Sequence, residues 1–279
     1  MYTKPTPGLP MLELLQYPFM QRALAGGMLV AIVASFYGPF IVQRQLAFLG
    51  SGLAHAAFGG IALGLLLGQD PLWVAIPFTA IVAAGIVWVR NHTGLAADTA
   101  LGIFFSLAMA LGVIFLFLRE SNSSDAFTYL FGSILALNKT DLYLSAAVLV
   151  ANLAILPLWG RWAYATFDRN LAVVDGHPVL RDEYLLSIAV AIVTVVSIKV
   201  VGILLMSAFL VIPAASARLV SRRFIHMMFA TLGLNVIGVI AGLAASYYSD
   251  LPSGPAIILV QTALFALMYL LSRQLRFAT

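Results

Sequence analysis

The chain has 279 residues, of which 62% are hydrophobic and 9% are charged, and its formal net charge is +4 at pH 7. A water-soluble fold cannot hide this much apolar surface, so the composition excludes one and indicates a membrane domain. There is no cysteine, which excludes disulfides, thiolate metal sites and cysteine nucleophiles. The basic residues stand mostly between or after apolar runs, a distribution that sets membrane topology and does not indicate nucleic-acid binding.

The apolar runs are long enough for transmembrane helices, because a span needs about 20 residues and only a helix satisfies its own backbone in lipid at that length. The runs lie at 19–43, 52–68, 71–89, 99–118, 141–160, 185–217, 227–247 and 254–272. The run at 185–217 exceeds one ordinary span and contains Lys199 and Gly202 near its middle, which leaves two helices joined by a tight turn as an alternative to one helix. The sequence therefore predicts an all-α bundle of eight or nine transmembrane helices in a single domain, 1–279.

Charge sets the expected topology of this bundle. Residues 1–17 form a tail without the pattern of a cleavable signal peptide, so the first apolar run is expected to remain as an anchor. Loops that carry basic residues should face the cytoplasm, and they lie at 160–184, 218–226 and 273–279. With nine spans, the N-terminus is then outside. The segment 127–137 is too short to cross alone and is expected to be a half-helix or re-entrant piece buried against protein.

The second span combines an ionisable face with a small-residue face. One face carries, at a spacing of four residues, Ser51, His55 and Gly59. The opposite face carries Gly60, Gly64 and Gly68, a small-residue pattern that lets a neighbouring helix approach closely. Ionisable residues inside membranes usually face a bundle interior or a pathway, and neutral imidazole is the commonest metal ligand. His55 is therefore either a core histidine that donates to a carbonyl or a group on a metal path.

The same span carries a family signature. The run from Gln43 to Ala56, QRQLAFLGSGLAHA, resembles the signature Gly-Asp-x-x-x-His-Ala of the permease subunits of bacterial zinc and manganese ABC transporters. Matches continue in order through Asp98–Ile103, Tyr129–Gly132, Val174–Gly176, Lys199–Leu205, Ile212–Ala215 and Ser253–Pro255. Ser51 replaces the family's aspartate, which removes a hard oxygen ligand for a cation.

The resemblance implies a fold similar to that of the vitamin B12 importer permease, in a multi-pass protein of the bacterial cytoplasmic (inner) membrane. It implies a homodimer that binds two ATP-binding subunits and an extracytoplasmic metal-binding protein. No cofactor is expected in the chain itself; the cargo is a divalent metal, Zn²⁺ or Mn²⁺, with Fe²⁺ a further candidate. A path with histidine and few carboxylates favours Zn²⁺. The expected metal-path residues are His55, Asp98 and Ser51.

Four other polar residues lie in or at the ends of the apolar runs. Asp98 begins the fourth span, where an acidic residue caps free amides and complements the helix dipole, or supplies a carboxylate at a pathway mouth. Lys199 is costly in mid-membrane unless it snorkels, pairs or lies in a turn near the outer surface. Asn152 and Asn235 are expected to form hydrogen bonds between helices.

The polar stretch 161–184 resembles the coupling helix by which such importers contact their ATPase. The coupling residues implied are Asp168, Leu171, Val174, Asp175 and Gly176, with Gly176 ending the helix as a C-cap. The alternative is an amphipathic loop on the membrane surface. The chain has no Gly-x-x-x-x-Gly-Lys-Ser/Thr motif, so ATP hydrolysis is expected on a separate subunit. Residues expected to contact the binding protein are Arg119, Glu120, Asp125 and Asp250.

Three other functions are compatible with some of the same residues. Ser51 and His55 could form a nucleophile and base in an intramembrane hydrolase, but no third orienting group and no Gly-x-Ser-x-Gly elbow accompany them. A permease for a vitamin or a metal chelate has the same general fold, but its family signatures are missing. A passive channel would need no coupling helix. Dependence of uptake on a co-expressed ATPase distinguishes a transporter from the hydrolase and the channel.

Overall fold

The computed structural model describes residues 17–119, 137 and 139–277, and every regular element in these ranges is helical, which confirms the predicted all-α class. The helices are α1 Pro18–Gln43, α2 Ala47–Leu66, α3 Pro71–Thr93, α4 Ala97–Leu118, α5 Lys139–Ile155, α6 Trp159–Phe167, α7 Arg169–Val174, α8 Val179–Val220, α9 Phe224–Ser249 and α10 Ser253–Phe277. A short 3-10 turn, Leu156–Leu158, continues α5 into α6.

Eight helical segments of this described part are long and apolar enough to cross a membrane, with α5, the 3-10 turn and α6 forming one of them. Each coincides with one predicted run. The observed helices extend further than the apolar runs, because polar residues such as Asn91 and His92 continue the helical hydrogen bonding after the hydrocarbon-facing part has ended.

Helix α8 is broken at Gly202, which has φ 81° and ψ 167°, values that an L side chain rarely adopts. A straight helix of 42 residues would be about 63 Å long, twice the hydrocarbon thickness. Before the break, Glu183 lines a small cavity with Arg44, which follows the end of α1. Val200 instead lies against Gly26, near the start of α1. The first half, 179–201 (α8a), therefore runs antiparallel to α1.

The second half, 203–220 (α8b), returns along the same neighbour. The carbonyl oxygen of Leu210 lies against Gly38 of α1, and the Arg218 guanidinium donates to the Val42 carbonyl at 3.5 Å. Helix α8 is thus a hairpin that crosses twice, which makes nine crossings over the described residues. The predicted tight turn at Gly202 is correct.

The two ends of the bundle differ in charge. One end, which we call the basic end, carries Arg44, Arg90, Arg161, Arg169 and Arg218. The positive-inside rule assigns the basic end to the cytoplasm. The opposite end contains the α2–α3 turn, the Gly202 break and the α9–α10 turn.

Lys199 lies just before the Gly202 break, at the opposite end, as expected for a lysine near a turn. Its Nζ also lies 2.7 Å from Oδ1 of Asp141, a buried residue in the first turn of α5. Lys199 therefore escapes the cost of an isolated mid-membrane charge through both its position and an ion pair.

The two predicted asparagines do connect helices. Asn152 of α5 accepts a hydrogen bond from the Tyr37 hydroxyl of α1. Asn235 of α9 donates to Ser35 Oγ at 3.0 Å and to the Phe209 carbonyl at 3.3 Å. These bonds satisfy buried polar groups where no water is present, and they confirm the predicted role of both residues.

Helix α2 packs on α3 through its glycine face. A Cβ atom on Gly60 would lie 2.6 Å from Ala75 Cα, and one on Gly64 would lie 2.7 Å from Pro71 Cα. Backbone-to-backbone approach this close needs residues without a side chain. The predicted small-residue interface is confirmed at these two positions.

Two other glycines of α2 behave differently from the prediction. Gly68 does not extend the glycine face, because α2 ends at Leu66 and Gly68 adopts φ +66° in open space. Gly59 does not line an open face beside His55, because its Cβ position lies 2.6 Å from the Ala108 carbonyl oxygen of α4. The open face of α2 that carries His55 is therefore shorter than predicted, because α4 covers it at Gly59.

We expect Gly60→Ala to lower the stability of the bundle by about 1–3 kcal/mol, since the added methyl must displace the α3 backbone. Gly102→Ala is the matched control, because Gly102 of α4 has no heavy atom within 4 Å of its Cβ position. Thermal melting in detergent measures both. Equal melting temperatures for Gly60→Ala and wild type would contradict the close packing of α2 on α3.

Candidate functional site

His55 lies near the middle of α2 with one ring nitrogen bound and the other available. Its Nδ1 lies 2.8 Å from the Ser51 carbonyl oxygen. Because a carbonyl only accepts, Nδ1 carries a proton, and in the neutral imidazole Nε2 then keeps its lone pair. The half-buried ring packs edge-on against Phe105 of α4, with centroids 5.3 Å apart. His55 therefore donates to a carbonyl, as one of the two interpretations predicted, while its role on a metal path stays a prediction.

Ser51 shares the half-buried face of His55 but is not activated by it. The His55 hydrogen bond goes to the backbone carbonyl of Ser51 and not to its hydroxyl. A serine nucleophile needs its hydroxyl within hydrogen-bond reach of the base. This geometry does not support the hydrolase alternative.

Asp98 does not cap α4. The N-cap residue is Ala96, which makes no side-chain hydrogen bond, and within the described ranges the exposed Asp98 carboxylate accepts none either. The predicted cap is wrong because the helix begins before Asp98, but the carboxylate does lie in the first turn, where it complements the helix dipole as predicted.

Asp98 and His55 lie at different depths of the bundle. Helices α2 and α4 run parallel, since Gly52 lies against Leu101 and His55 against Phe105. Asp98 comes about two turns before Phe105, roughly 10 Å nearer the basic end. One cation cannot contact both residues at once, so the two predicted metal-path residues mark successive points on one face.

This face is open on its outer side. Beside it on α4, Gly102 meets no heavy atom within 4 Å and Ser106 is exposed. Among the described residues, no group of three or more His, Asp or Glu side chains is arranged to hold a metal ion. The described part of a protomer thus presents one imidazole nitrogen at mid-depth and a carboxylate nearer the basic end, without a closed cation cage.

The predicted coupling residues form a short capped helix at the basic end. The chain between α6 and α8 is shorter than the predicted loop at 161–184, because α6 continues to Phe167 and α8 begins at Val179. Helix α7 starts at the N-cap Asp168, whose Oδ1 accepts from the Leu171 amide at 2.8 Å. Both ends of this six-residue helix are thereby fixed in place by local bonds.

Gly176 ends α7 as predicted, with φ +79°. Its amide donates to the Val173 carbonyl at 3.1 Å, and the His177 amide donates to the Ala172 carbonyl at 3.0 Å. This pair of bonds is the Schellman arrangement, which requires a left-handed residue at the glycine position. Next to it, Asp175 accepts a 2.5 Å hydrogen bond from the Tyr164 hydroxyl of α6.

The outer surface of α7 is apolar. Val174 is 80% exposed and Leu171 is 47% exposed, while Ala172 is fully buried against the bundle. Exposed aliphatic side chains at the tip of a charged surface favour contact with another protein. Leu171 and Val174 were predicted as coupling residues, and α7 presents them together with Val173, which is 52% exposed and was not predicted.

A buried charge cluster behind α7 was not predicted. Glu183, at the start of α8, lies 2.7 Å from the Arg90 guanidinium of α3 and 3.0 Å from that of Arg169 in α7. Asp182 receives two hydrogen bonds from Arg161 of α6, at 2.6 and 3.2 Å. The only sequence signal was the mixture of acidic and basic residues in this stretch.

Arg44 completes the cluster from the α1–α2 junction. It donates to Thr166 Oγ1 at 2.8 Å and to the Trp162 carbonyl at 3.2 Å. Burial lowers the pKa of Arg44 to about 10, so its guanidinium remains charged at neutral pH. The junction before α2 is therefore attached to α6.

The residues predicted to contact a binding protein are only partly described. Arg119 follows the last residue of α4, and the exposed Asp250 caps α9 with φ 52°. Both lie at the opposite end. Glu120 and Asp125, together with nearly all of the predicted re-entrant segment 127–137, lie outside the described residues.

Known proteins resemble the chain over nearly its full length. The model of the ABC 3 transport family matches residues 16–272. The manganese transport system membrane protein MntC of Halalkalibacterium halodurans is 34% identical over 93% of this chain and 89% of its own. The high-affinity zinc uptake system membrane protein ZnuB of Haemophilus influenzae is 32% identical over 88% of this chain and 94% of its own.

Two solved structures share the fold. PsaBC from Streptococcus pneumoniae, in complex with Fab, contains a chain with a TM-score of 0.83 and 32% identity, covering 96% of this chain and 99% of that one. A structure titled as an inward-facing metal-chelate type ABC transporter has a TM-score of 0.72 at 14% identity, covering 96% and 90%. The family match over almost all of the helical bundle leads to one conclusion: the chain belongs to the ABC 3 transport family, as a multi-pass transport subunit of the bacterial inner membrane and not an enzyme.

Proposed function

We propose that this chain is the permease of an ATP-driven importer of divalent transition-metal ions. The observation that carries the proposal is His55, whose Nε2 lone pair is held available at mid-depth by the bond from Nδ1 to the Ser51 carbonyl. Metal-binding histidines commonly donate their other ring nitrogen to a carbonyl, which fixes the tautomer and the ring orientation. The manganese- and zinc-named relatives support the same cargo class.

The path lies between two copies of the chain. The described residues of one protomer supply too few ligands to hold a cation, and the face with Ser51, His55 and Gly102 is open. A second copy related by a two-fold axis would bring an equivalent His55 to the other side of the path. Two weak half-sites suit transport, because a cation must leave as readily as it enters.

Zn²⁺ is the preferred cargo. At the depth of His55 the path offers an imidazole and a serine, and the Asp98 carboxylate lies about two helical turns away. Imidazole suits Zn²⁺, whereas Mn²⁺ favours carboxylate and other hard oxygen ligands.

We expect Ser51→Asp to shift the preference toward Mn²⁺. Residues 51 and 55 are one turn apart on α2, with Cβ atoms about 5–6 Å apart, so a carboxylate at 51 can contact the same ion as the imidazole. Competition between Zn²⁺ and Mn²⁺ during uptake measures the shift. Thr262→Asp, on the exposed side of α10, is the control for a new carboxylate away from His55. An unchanged ratio in Ser51→Asp would contradict the assignment of this face.

Helix α7 is the contact through which ATP hydrolysis on the ATPase subunits drives the permease. The chain lacks a P-loop motif, so two separate ATP-binding subunits supply hydrolysis, and each binds the exposed Leu171 and Val174 of one protomer in an apolar groove. An extracytoplasmic metal-binding protein delivers the ion at the opposite end, where Arg119 and Asp250 offer charges of both signs.

Metal accumulation in cells tests the proposal. Cells without their own importers would express the chain with its ATPase and binding protein, and total Zn²⁺ and Mn²⁺ would be measured at limiting supply. We expect accumulation only when all three components are present. Normal accumulation without this chain would refute it.

A further inference from the structure

We infer that Arg169, Glu183 and Arg90 form a charge clamp that transmits movement of the coupling helix α7 to α3 and α8a, and so to the His55 face. This inference rests on the proposed function, because it assumes that an ATPase subunit moves α7. The clamp is distinct from the surface that contacts the ATPase, since its central residue is buried while Leu171 and Val174 are exposed.

Glu183 is the centre of the clamp. Its Oε1 accepts from Arg169 Nε of α7 at 3.0 Å, and its Oε2 lies 2.7 Å from Arg90 of α3. Asn91 of α3 closes the arrangement by accepting from the second nitrogen of Arg169 at 3.2 Å and donating to Glu183 Oε2 at 3.3 Å. One carboxylate thereby connects three helices.

Arg169 is the only cation on α7, and its bonds to α3 and α8a are the charged contacts of that helix among the described residues. The rest of α7 is held through the buried side chain of Ala172 and through the bond from Tyr164 of α6 to the C-cap Asp175. The Arg169 guanidinium is therefore the polar contact through which a displacement of α7 reaches α3 and α8a. Removing it leaves the fold of α7 intact, because Asp168 and Gly176 cap that helix independently.

The clamp leads to the His55 face through backbone packing. Arg90 and Asn91 lie near the basic end of α3, and further along α3 the backbone of Ala75 and Pro71 contacts Gly60 and Gly64 of α2. The two backbones pack directly on each other, without side chains between them that could change rotamer. A tilt of α3 should therefore move α2 with it. The glycine face of α2 is thus the second part of the transmission, and His55 lies on the other side of the same helix.

Glu183 is suited to this task and poorly suited to stabilisation alone. A buried carboxylate between two guanidiniums gains its attraction at a large desolvation cost, so ion pairs of this kind are weak evidence for stability. They do specify one geometry, because Glu183 contacts both guanidiniums only while α3 and α7 keep their present positions. Because the clamp allows only one arrangement, a displacement of α7 should produce a defined tilt of α3 and α8a.

The neighbouring pair Arg161–Asp182 provides the matched control. It is also an arginine bound to a buried acid of α8a, with two hydrogen bonds, but its arginine belongs to α6 and does not contact α7. The variants Arg161→Met and Arg169→Met both remove an arginine bound to a buried acid of α8a. Arg169→Met removes one within the proposed clamp, whereas Arg161→Met removes one outside it.

The test uses the complete complex of permease, ATPase and binding protein in proteoliposomes, and measures metal ions transported per ATP hydrolysed with ⁶⁵Zn²⁺. We expect Arg169→Met to lower this ratio about tenfold while the ATPase still co-purifies and hydrolyses ATP. Arg169→Lys should restore part of the ratio, since an ammonium can still reach Glu183 but not Asn91 as well. Arg161→Met should lower the melting temperature and keep the wild-type ratio.

The outcomes separate the clamp from the proposed function. A wild-type complex without ATP-coupled metal transport refutes the proposed function. If the wild type is coupled and Arg169→Met keeps its ratio, the clamp is wrong. Loss of ATPase binding in Arg169→Met, or an equal fall of the ratio in Arg161→Met, also overturns it, because Arg169 would then be a docking or general structural residue.

Discussion

Replacing His55 with alanine is expected to abolish metal uptake while assembly and thermal stability stay close to those of the wild type. The substitution removes the one imidazole at mid-depth on the open face of α2. Its Nδ1 bond goes to the Ser51 carbonyl of the same helix, which also accepts an intrahelical bond, so no buried partner is left unsatisfied. A histidine that only supported the core would instead cost about 1–3 kcal/mol when removed.

His92→Ala is the matched control for this variant. His92 makes the same bond within its helix, from Nδ1 to the Trp88 carbonyl at 2.9 Å, but it is exposed near the basic end of α3. Uptake of ⁶⁵Zn²⁺ and melting in detergent would be measured for both variants. Normal uptake by His55→Ala, or a large fall in its melting temperature, would remove His55 from the metal path.

Gly176→Val is expected to uncouple the ATPase without unfolding the bundle. Gly176 holds φ +79° at the end of α7, and a β-branched residue resists this left-handed conformation by roughly 1–2 kcal/mol or more. No heavy atom lies within 4 Å of its Cβ position, so the effect is confined to the local backbone. The strain should open the Schellman turn and displace Leu171 and Val174 from the geometry that the ATPase recognises.

Gly68→Val provides the comparison. Gly68 has φ +66° and equally open surroundings, but it lies in the α2–α3 turn at the opposite end. Co-purification of the ATPase and its hydrolysis rate in the complex would be measured for both variants. Undiminished ATPase binding and stimulation in Gly176→Val, or an equal loss in Gly68→Val, would refute the coupling role of α7.

The transmembrane helices were predictable because the hydrocarbon thickness of the bilayer requires about 20 consecutive apolar residues in each of them. The hairpin in α8 also followed from length, once Gly202 stood in the middle of a run too long for one crossing. Gly60 and Gly64 were correctly assigned to a helix interface, since their spacing fixes them on one face. Which helix they contact could not be predicted, because spacing describes one helix and not its neighbours.

The misses have the same physical origin. Gly59 was predicted to lie on the open face with His55, but α4 covers it. The spacing within one helix does not show which of its residues a neighbouring helix will cover. The charge cluster around Glu183 could not be predicted, because its partners Arg90 and Arg169 lie on two other helices that meet only after folding. Asp98 does not cap α4 because the helix begins at Ala97, before the apolar run from which its start was predicted.

The most direct test of the account is metal transport by the purified permease in proteoliposomes, with its ATPase subunit and binding protein present or omitted singly. We predict that ⁶⁵Zn²⁺ enters only with the ATPase, ATP and the intact chain, and that a hydrolysis-deficient ATPase stops it. Uptake at the same rate without the ATPase would contradict an ATP-driven permease. So would an assembled, ATP-hydrolysing complex that moves neither Zn²⁺ nor Mn²⁺.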